Sequence, residues 1–312
     1  MKSELELIVH GIGAAPGIAI GPAYVIDQTG MPVPEYAVTA AQVEKELKRF
    51  RLALAKTQRQ LAQLKQKAQS LPSGAAEDVA LLLDAYQGML AGSRLVRGVE
   101  ETIEASRINA EAAIQRQITA IKASFAKMDD AYIAARAADV GEVGSRLIRN
   151  LLQQHYNPFV ETPAGSVIVA EEITPADTAL MKPERVAGFA TVLGGAEGHS
   201  AIMARALGLP AVAGAAGLVQ GITAGDIVII DGDKGDVIVR PKEQTLQHYR
   251  QELARQLRET KKLKSLKNVP AVTSDEVSIT LHANLELPRD AKAAMQAGAS
   301  GIGLLRTEFM FM

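Results

Sequence analysis

The hydrophobic period of this chain changes twice, and that order restricts the folds open to it. From Thr39 to about residue 153 apolar residues recur at helical spacing, whereas the stretches before and after it alternate like strands and carry the glycines of tight turns. Thr39-x-x-Gln42 fits a capping box, in which hydroxyl and amide side chains satisfy orphan backbone groups at a helix start. Val43, Leu47, Phe50, Leu54, Leu61 and Leu64 then fall at alternating four- and three-residue steps, with Thr57 completing the series. Pro72-Ser73-Gly74 ends that helix, and further helical stretches are expected at about 77–91, 94–106, 109–127 and 130–153. Helices joined by such short loops predict a compact bundle.

The β-rich flanks share one character. Leu5 to Asp27 holds Gly11-Ile-Gly-Ala-Ala-Pro-Gly-Ile-Ala-Ile-Gly-Pro22, which reads as short strands and turns. From Ser166 strand and helix alternate. Strands are predicted at Ser166–Ala170 and Val186–Thr191, and a helix starts at Thr174-Pro-Ala-Asp177. Gly194-Gly-Ala-Glu-Gly198 is a loop, His199–Leu207 a helix, and Asp226–Asp231 with Asp236–Arg240 a hairpin. The expected arrangement is one α/β domain made of residues 1–30 and 155–242, with the bundle, 31–154, inserted; an insertion needs only that its ends lie close together. Residues 243–268 read as a connector helix. Residues 269–312, with strands at Val277–Ala283 and Ser300–Leu305 around a helix at Arg289–Gln296, read as the truncated start of a (β/α) barrel, which when complete takes ~250 residues.

Composition narrows the chemistry. There is no cysteine, which excludes disulfides, thiolate nucleophiles and cysteine-based zinc sites. A formal net charge of -1 provides no overall positive field for nucleic acid or an anionic membrane. No stretch approaches the ~18 apolar residues of a membrane helix, so a soluble, cytoplasmic protein without a membrane or nucleic-acid partner is expected.

Of the five histidines, His10, His155, His199, His248 and His282, only His199 follows a glycine-rich approach and opens a helix. A histidine that carries a phosphoryl group must reach solvent, so that two partners can approach it in line. It must be neutral when it attacks, because imidazolium offers no lone pair. A neighbouring acceptor fixes its tautomer. The charged product is then favoured by the amides of a helix amino terminus. Gly194, Gly195 and Gly198 allow close backbone approach, Ser200 is a candidate donor and Arg205 a candidate cation. The plainer reading stays open: His199 as an ordinary first helical residue, the glycines as turn formers, Ser200 as a turn cap.

The longer string, Gly194-Gly-Ala-Glu-Gly-His-Ser-Ala-Ile-Met-Ala-Arg-Ala-Leu-Gly-Leu-Pro-Ala-Val-Ala-Gly214, closely resembles the phosphohistidine signature of the phosphoenolpyruvate-protein phosphotransferases, the Enzyme I family. Gly11–Ala19 resembles that family's first strands, and Asp129-Asp-Ala-Tyr-Ile-Ala-Ala-Arg-Ala-Ala-Asp-Val140 its last long bundle helix. The resemblance implies a swivelling α/β phosphohistidine domain with His199 as nucleophile. It implies that Thr178, ending Thr174-Pro-Ala-Asp-Thr178, hydrogen-bonds the active histidine. Gly301-Ile-Gly-Leu-Leu-Arg-Thr-Glu-Phe309 is similar to the start of the family's phosphoenolpyruvate-binding barrel, which makes Arg306 the bidentate grip on substrate phosphate. Sugar-branch relatives read Gly-Gly-Arg-Thr-Ser before the histidine; here the loop is Gly-Gly-Ala-Glu-Gly, without that arginine.

In this family the bundle docks the phosphocarrier HPr or its nitrogen-branch counterpart. By position Tyr86, Met89, Leu95 and Arg136 are candidate contacts, although apolar residues at helical spacing are more often core. The resemblance further implies Mg2+ in the full-length enzyme, with ligands outside this chain, a homodimer formed through a carboxy-terminal domain, and sugar transport as the setting. The fragment is expected to exchange phosphate with the carrier only. Two rivals are the swivelling domain of a pyruvate phosphate dikinase or phosphoenolpyruvate synthase relative, and a docking module in which His199 is idle.

Overall fold

A computed structural model describes residues 5–26, 32–71, 73–125, 131–154, 156–196, 198–285 and 290–305, with the side chains of 73, 74, 131–136 and 290 outside the description. The described residues divide into two compact units, Met1–Arg240 and Pro241–Met312.

In the first unit three strands open the chain: β1 (Leu7–His10), β2 (Ile12–Ala15) and β3 (Ile18–Ile26). Five helices follow, α1 (Ala40–Ala68), α2 (Ser73–Leu90), α3 (Arg94–Ser106), α4 (Ala110–Phe125) and α5 (Ala131–Leu151). The chain then returns to the sheet through β4 (Ser166–Ala170), α6 (Pro175–Thr178), β5 (Val186–Thr191), α7 (His199–Leu207), β6 (Ala211–Ala213), α8 (Leu218–Gly221), β7 (Ile227–Asp231) and β8 (Asp236–Val239). The strand order is β1-β8-β7-β3-β4-β5-β6-β2. Strands β3, β4, β5 and β6 run parallel in turn, whereas β7, β8, β1 and β2 pair antiparallel. Although β3 and β4 are neighbours, all five helices stand between them in the chain.

The two edge strands, β1 and β2, are separated in sequence by Gly11 alone, so the sheet has to curl until its edges meet. The glycines of the opening stretch make that closure fit. The Gly11 amide donates to the Gly235 carbonyl at 2.8 Å. A Cβ on Gly13 would stand 2.3 Å from the Gly232 carbonyl oxygen, and one on Gly232 only 1.9 Å from that of Ala15. Backbone lies on backbone here, which any side chain would prevent.

Helix α1 begins as its sequence predicts: the Thr39 amide donates to Gln42 Oε1 at 2.8 Å. Its seam buries Leu47, Phe50, Leu61 and Leu64, and Thr57 satisfies its buried hydroxyl by donating to the Ala53 carbonyl at 2.8 Å. Each such large apolar side chain contributes about 1.5–3 kcal/mol on burial. The bundle core runs on into Ala176 of α6, Ala179 just after it and Met203 in α7, so the helices are packed directly onto the α/β layer beside the glycine-rich loop.

The second unit, taken by itself, consists of the charged helix α9 (Glu243–Ser265) and a β9 (His282–Leu285), α10 (Asp290–Ala297), β10 (Gly301–Leu305) succession whose two strands pair in parallel. Strand β9 starts five residues later than the apolar alternation predicts. Val277, Ile279 and Leu281 are exposed, so period-2 patterning there has no buried face to fix it.

Candidate functional site

Gly198 caps α7, and His199 is its first residue. The loop before it turns through Gly194, whose φ of 101° lies in the region reserved for glycine, and the Gly198 amide closes onto the Gly195 carbonyl at 3.1 Å. The amides of Ala201 and Ile202 return to the Gly198 carbonyl. His199 therefore stands at the amino terminus of α7, the positive end of the helix dipole.

The His199 side chain is 23% exposed at the edge of a cleft of ≈490 Å³ lined by residues of the bundle and of the α/β layer. Its Nε2 lies 3.2 Å from Oδ1 of Asp139, a carboxylate only 1% exposed, on α5. The same oxygen accepts the hydroxyl of Tyr86, on α2, at 3.1 Å. Burial and the adjacent Asp139 charge push the Tyr86 phenol far above its usual range, so it is a neutral donor at any physiological pH. Burial also raises the Glu172 carboxyl; the nearby His199 opposes this, Glu142 and Asp139 add to it, and Lys122 opposes it.

The structure distributes the other expected site residues differently. Thr178 is fully buried and its hydroxyl donates to the Thr174 carbonyl at 3.1 Å, within its own helix. The ring's partner in this conformation is Asp139 instead. Ser200 is buried, with Oγ donating to the Ile173 carbonyl at 3.2 Å; it ties α7 to the loop before α6. Arg205 donates to the carbonyls of Ala196 and Ala14, at 3.0 and 3.2 Å, and so braces the glycine loop. Tyr86 is 1% exposed and faces Asp139, which corrects its expected place on a docking surface: a phenol in the core cannot touch a partner. Met89 and Leu95 do border open space, an apolar groove of ≈340 Å³ with Ile121, Phe125 and Val140. The Arg136 side chain, Glu197 and Arg306 lie outside the described residues.

Asp139 was missed from sequence although the string containing it was singled out. The available signal was a carboxylate in the register of Val143, Leu147 and Asn150, a stripe that is otherwise buried.

Comparison with known proteins decides the family. Models of the PEP-utilising enzymes match in three consecutive pieces: the N-terminal domain over residues 10–136, the mobile domain over 162–235 and the PEP-binding domain over 260–312. A phosphoenolpyruvate-protein phosphotransferase of Bacillus sp. (strain S) is 38% identical over 307 residues, 98% of this chain and 52% of the relative. The chain belongs to the phosphoenolpyruvate-protein phosphotransferase family. Another member, from Cupriavidus necator, is 36% identical over 317 residues, 99% of this chain and 54% of its own length. The chain thus spans about half the length of the curated phosphotransferases it matches. A solution NMR structure of Enzyme I is 35% identical with a TM-score of 0.64, covering 79% of this chain and 98% of that one. The mixed sheet and its helices are therefore an α/β arrangement shared with that part of the phosphotransferases.

Proposed function

We propose that this chain is the phosphohistidine-bearing part of a phosphotransferase that moves a phosphoryl group from phosphoenolpyruvate, through His199, to a histidine of a small HPr-like phosphocarrier. One observation carries the reading: a partly exposed imidazole opens a helix at a cleft, with a buried carboxylate on its ring nitrogen.

In the exchange with the carrier, a lone pair on the neutral His199 ring attacks phosphorus in line. The bond from phosphorus to the carrier's imidazole nitrogen breaks, and its electron pair stays on that nitrogen. The amides at the start of α7 stabilise the transferred group by ~0.3–1 kcal/mol where exposed and up to ~2 where partly buried. Gly194, Gly195 and Gly198 keep side chains out of its way.

The domain division follows the same reading: residues 1–30 with 155–242 as the swivelling phosphohistidine domain, 31–154 as the carrier-binding bundle, 243–268 as connector and 269–312 as the start of the phosphoenolpyruvate-binding barrel. The groove bordered by Met89 and Leu95 is the proposed carrier contact, and Arg136 is kept as a further candidate contact from the resemblance alone. Arg306 would hold the substrate phosphate. Mg2+ belongs to the barrel of the longer enzyme, together with the dimer contact. Among the described residues no group of three or more His, Asp or Glu stands together to hold a metal. No described helix is long and apolar enough to cross a membrane.

Incubation with phosphorylated HPr-type carrier should load one acid-labile phosphate per chain, whereas phosphoenolpyruvate with Mg2+ should load none. Stoichiometric loading from phosphoenolpyruvate alone would contradict the fragment reading, and no loading from either donor would contradict the transfer itself.

A further inference from the structure

A buried phenol in a helical bundle normally needs no function, since its ring fills space and its hydroxyl finds some acceptor. Tyr86 differs in what its acceptor touches. Its hydroxyl, 1% exposed with the rest of the residue, donates to the one oxygen of Asp139 that also meets Nε2 of His199. An ionised carboxylate only accepts hydrogen bonds, so both groups facing that oxygen must be donors. Tyr86 supplies an O–H, and at an ion-pair distance of 3.2 Å the ring sets an N–H rather than a lone pair of Nε2 toward the same negative oxygen.

We propose that Tyr86 is a positioning residue for His199, acting through Asp139, and that the pair holds the unphosphorylated ring with its Nε2 proton on the bundle. This rests on the reading of His199 as the phosphoryl acceptor and adds the device that governs its resting state. While the contact lasts, the lone pair of the neutral ring lies at Nδ1, and Nε2 becomes a nucleophile only after the ring has left Asp139, given its Nε2 proton to solvent and taken one up at Nδ1. A phosphoryl group on Nε2 would occupy the place of that proton and set its negative charge against Asp139, with the partly buried Glu172 close by. The resting contact and a phosphorylated Nε2 thus exclude each other, and departure from the bundle accompanies phosphorylation at that atom. Cleft residues on both sides bear on the ring: Asp139 and Glu142 from α5, Lys122 from α4, and Glu171 and Glu172 from the segment after β4.

The test is proton–nitrogen NMR of the intact chain labelled with 15N-histidine, without any phosphoryl donor, at a pH where the ring is neutral; His199→Ala identifies the signal. The wild-type protein should show a hydrogen-bonded Nε2–H of His199 protected from exchange with water. Asp139→Asn, which keeps an oxygen but loses the charge, should weaken that protection. Tyr86→Phe, which keeps the ring in the core, should raise the exchange rate about fivefold, the equivalent of one lost hydrogen bond. Should Asp139→Asn fail to fold, Tyr86→Phe carries the test alone. A proton at Nδ1, an unprotected ring in the wild type, or exchange unchanged by Tyr86→Phe would each overturn the proposal. Because no donor is present, these results stand apart from whether His199 takes up phosphate at all.

Discussion

Asp177 closes the short helix α6, where it accepts from the Thr174 amide at 3.2 Å while its own amide donates to the Thr174 hydroxyl at 3.1 Å. Burial, reinforced by Glu142, pushes its carboxyl up to about 6, against the opposing pull of the Thr174 hydrogen bonds and of Arg146. A carboxyl raised on folding binds its proton more tightly in the native state. Its contribution to stability is therefore full below the unfolded value of 3.8 and is lost as pH rises through about 6. Asp177→Asn keeps an acceptor but cannot titrate, so the melting temperature of the variant should fall less than that of the parent between those two pH values; parallel curves would contradict the assignment. At this scale the sequence is legible in part. His199 stands out because a glycine loop and a helix start adjoin it in the chain. Asp139 does not, because it meets His199, sixty residues further on, only across the cleft where the bundle faces the α/β layer. The orienting role given to Thr178 by resemblance is a matter of conformation: its hydroxyl here satisfies its own helix.

Helix starts were the most readable elements, since a cap is written in four adjacent residues. The Thr39 box and the Thr174 cap both form as their sequences predict. Thr174→Ala should lower stability by about 1 kcal/mol in urea unfolding, the usual cost of a lost cap. No loss would mean that packing of α6 against the bundle holds it without the hydroxyl. The strand β6 is not legible in the sequence because Ala211–Ala213 is too short to show alternation; it exists through its neighbours β5 and β2. Closure of the curled sheet is likewise invisible to periodicity, although its glycines are plain. Gly232→Ala would drive a methyl into the Ala15 carbonyl, so a loss of at least about 2 kcal/mol is expected in the same measurement. A variant as stable as its parent would show that the edges of the sheet do not approach as described.

The whole molecule joins an α/β layer and a helical bundle through one continuous set of packed side chains, with the histidine where they meet. Met1–Arg240 is compact in its own right, and the related Enzyme I solution structure covers 79% of the chain. A protein ending after Arg240 should therefore keep the main cooperative unfolding transition within about 2 °C, a shift smaller than 1 kcal/mol gives for a domain of this size; loss of cooperativity would contradict the division into two units. What such a molecule is for turns on a single atom accepting phosphorus. The most direct measurement is incubation of wild-type and His199→Ala chains with phosphorylated HPr-type carrier, followed by quantification of acid-labile phosphate and mapping of the labelled peptide. One phosphate per wild-type chain is expected, on the peptide containing His199, and none on the variant. Equal labelling of the variant, or label on a different histidine, would contradict it.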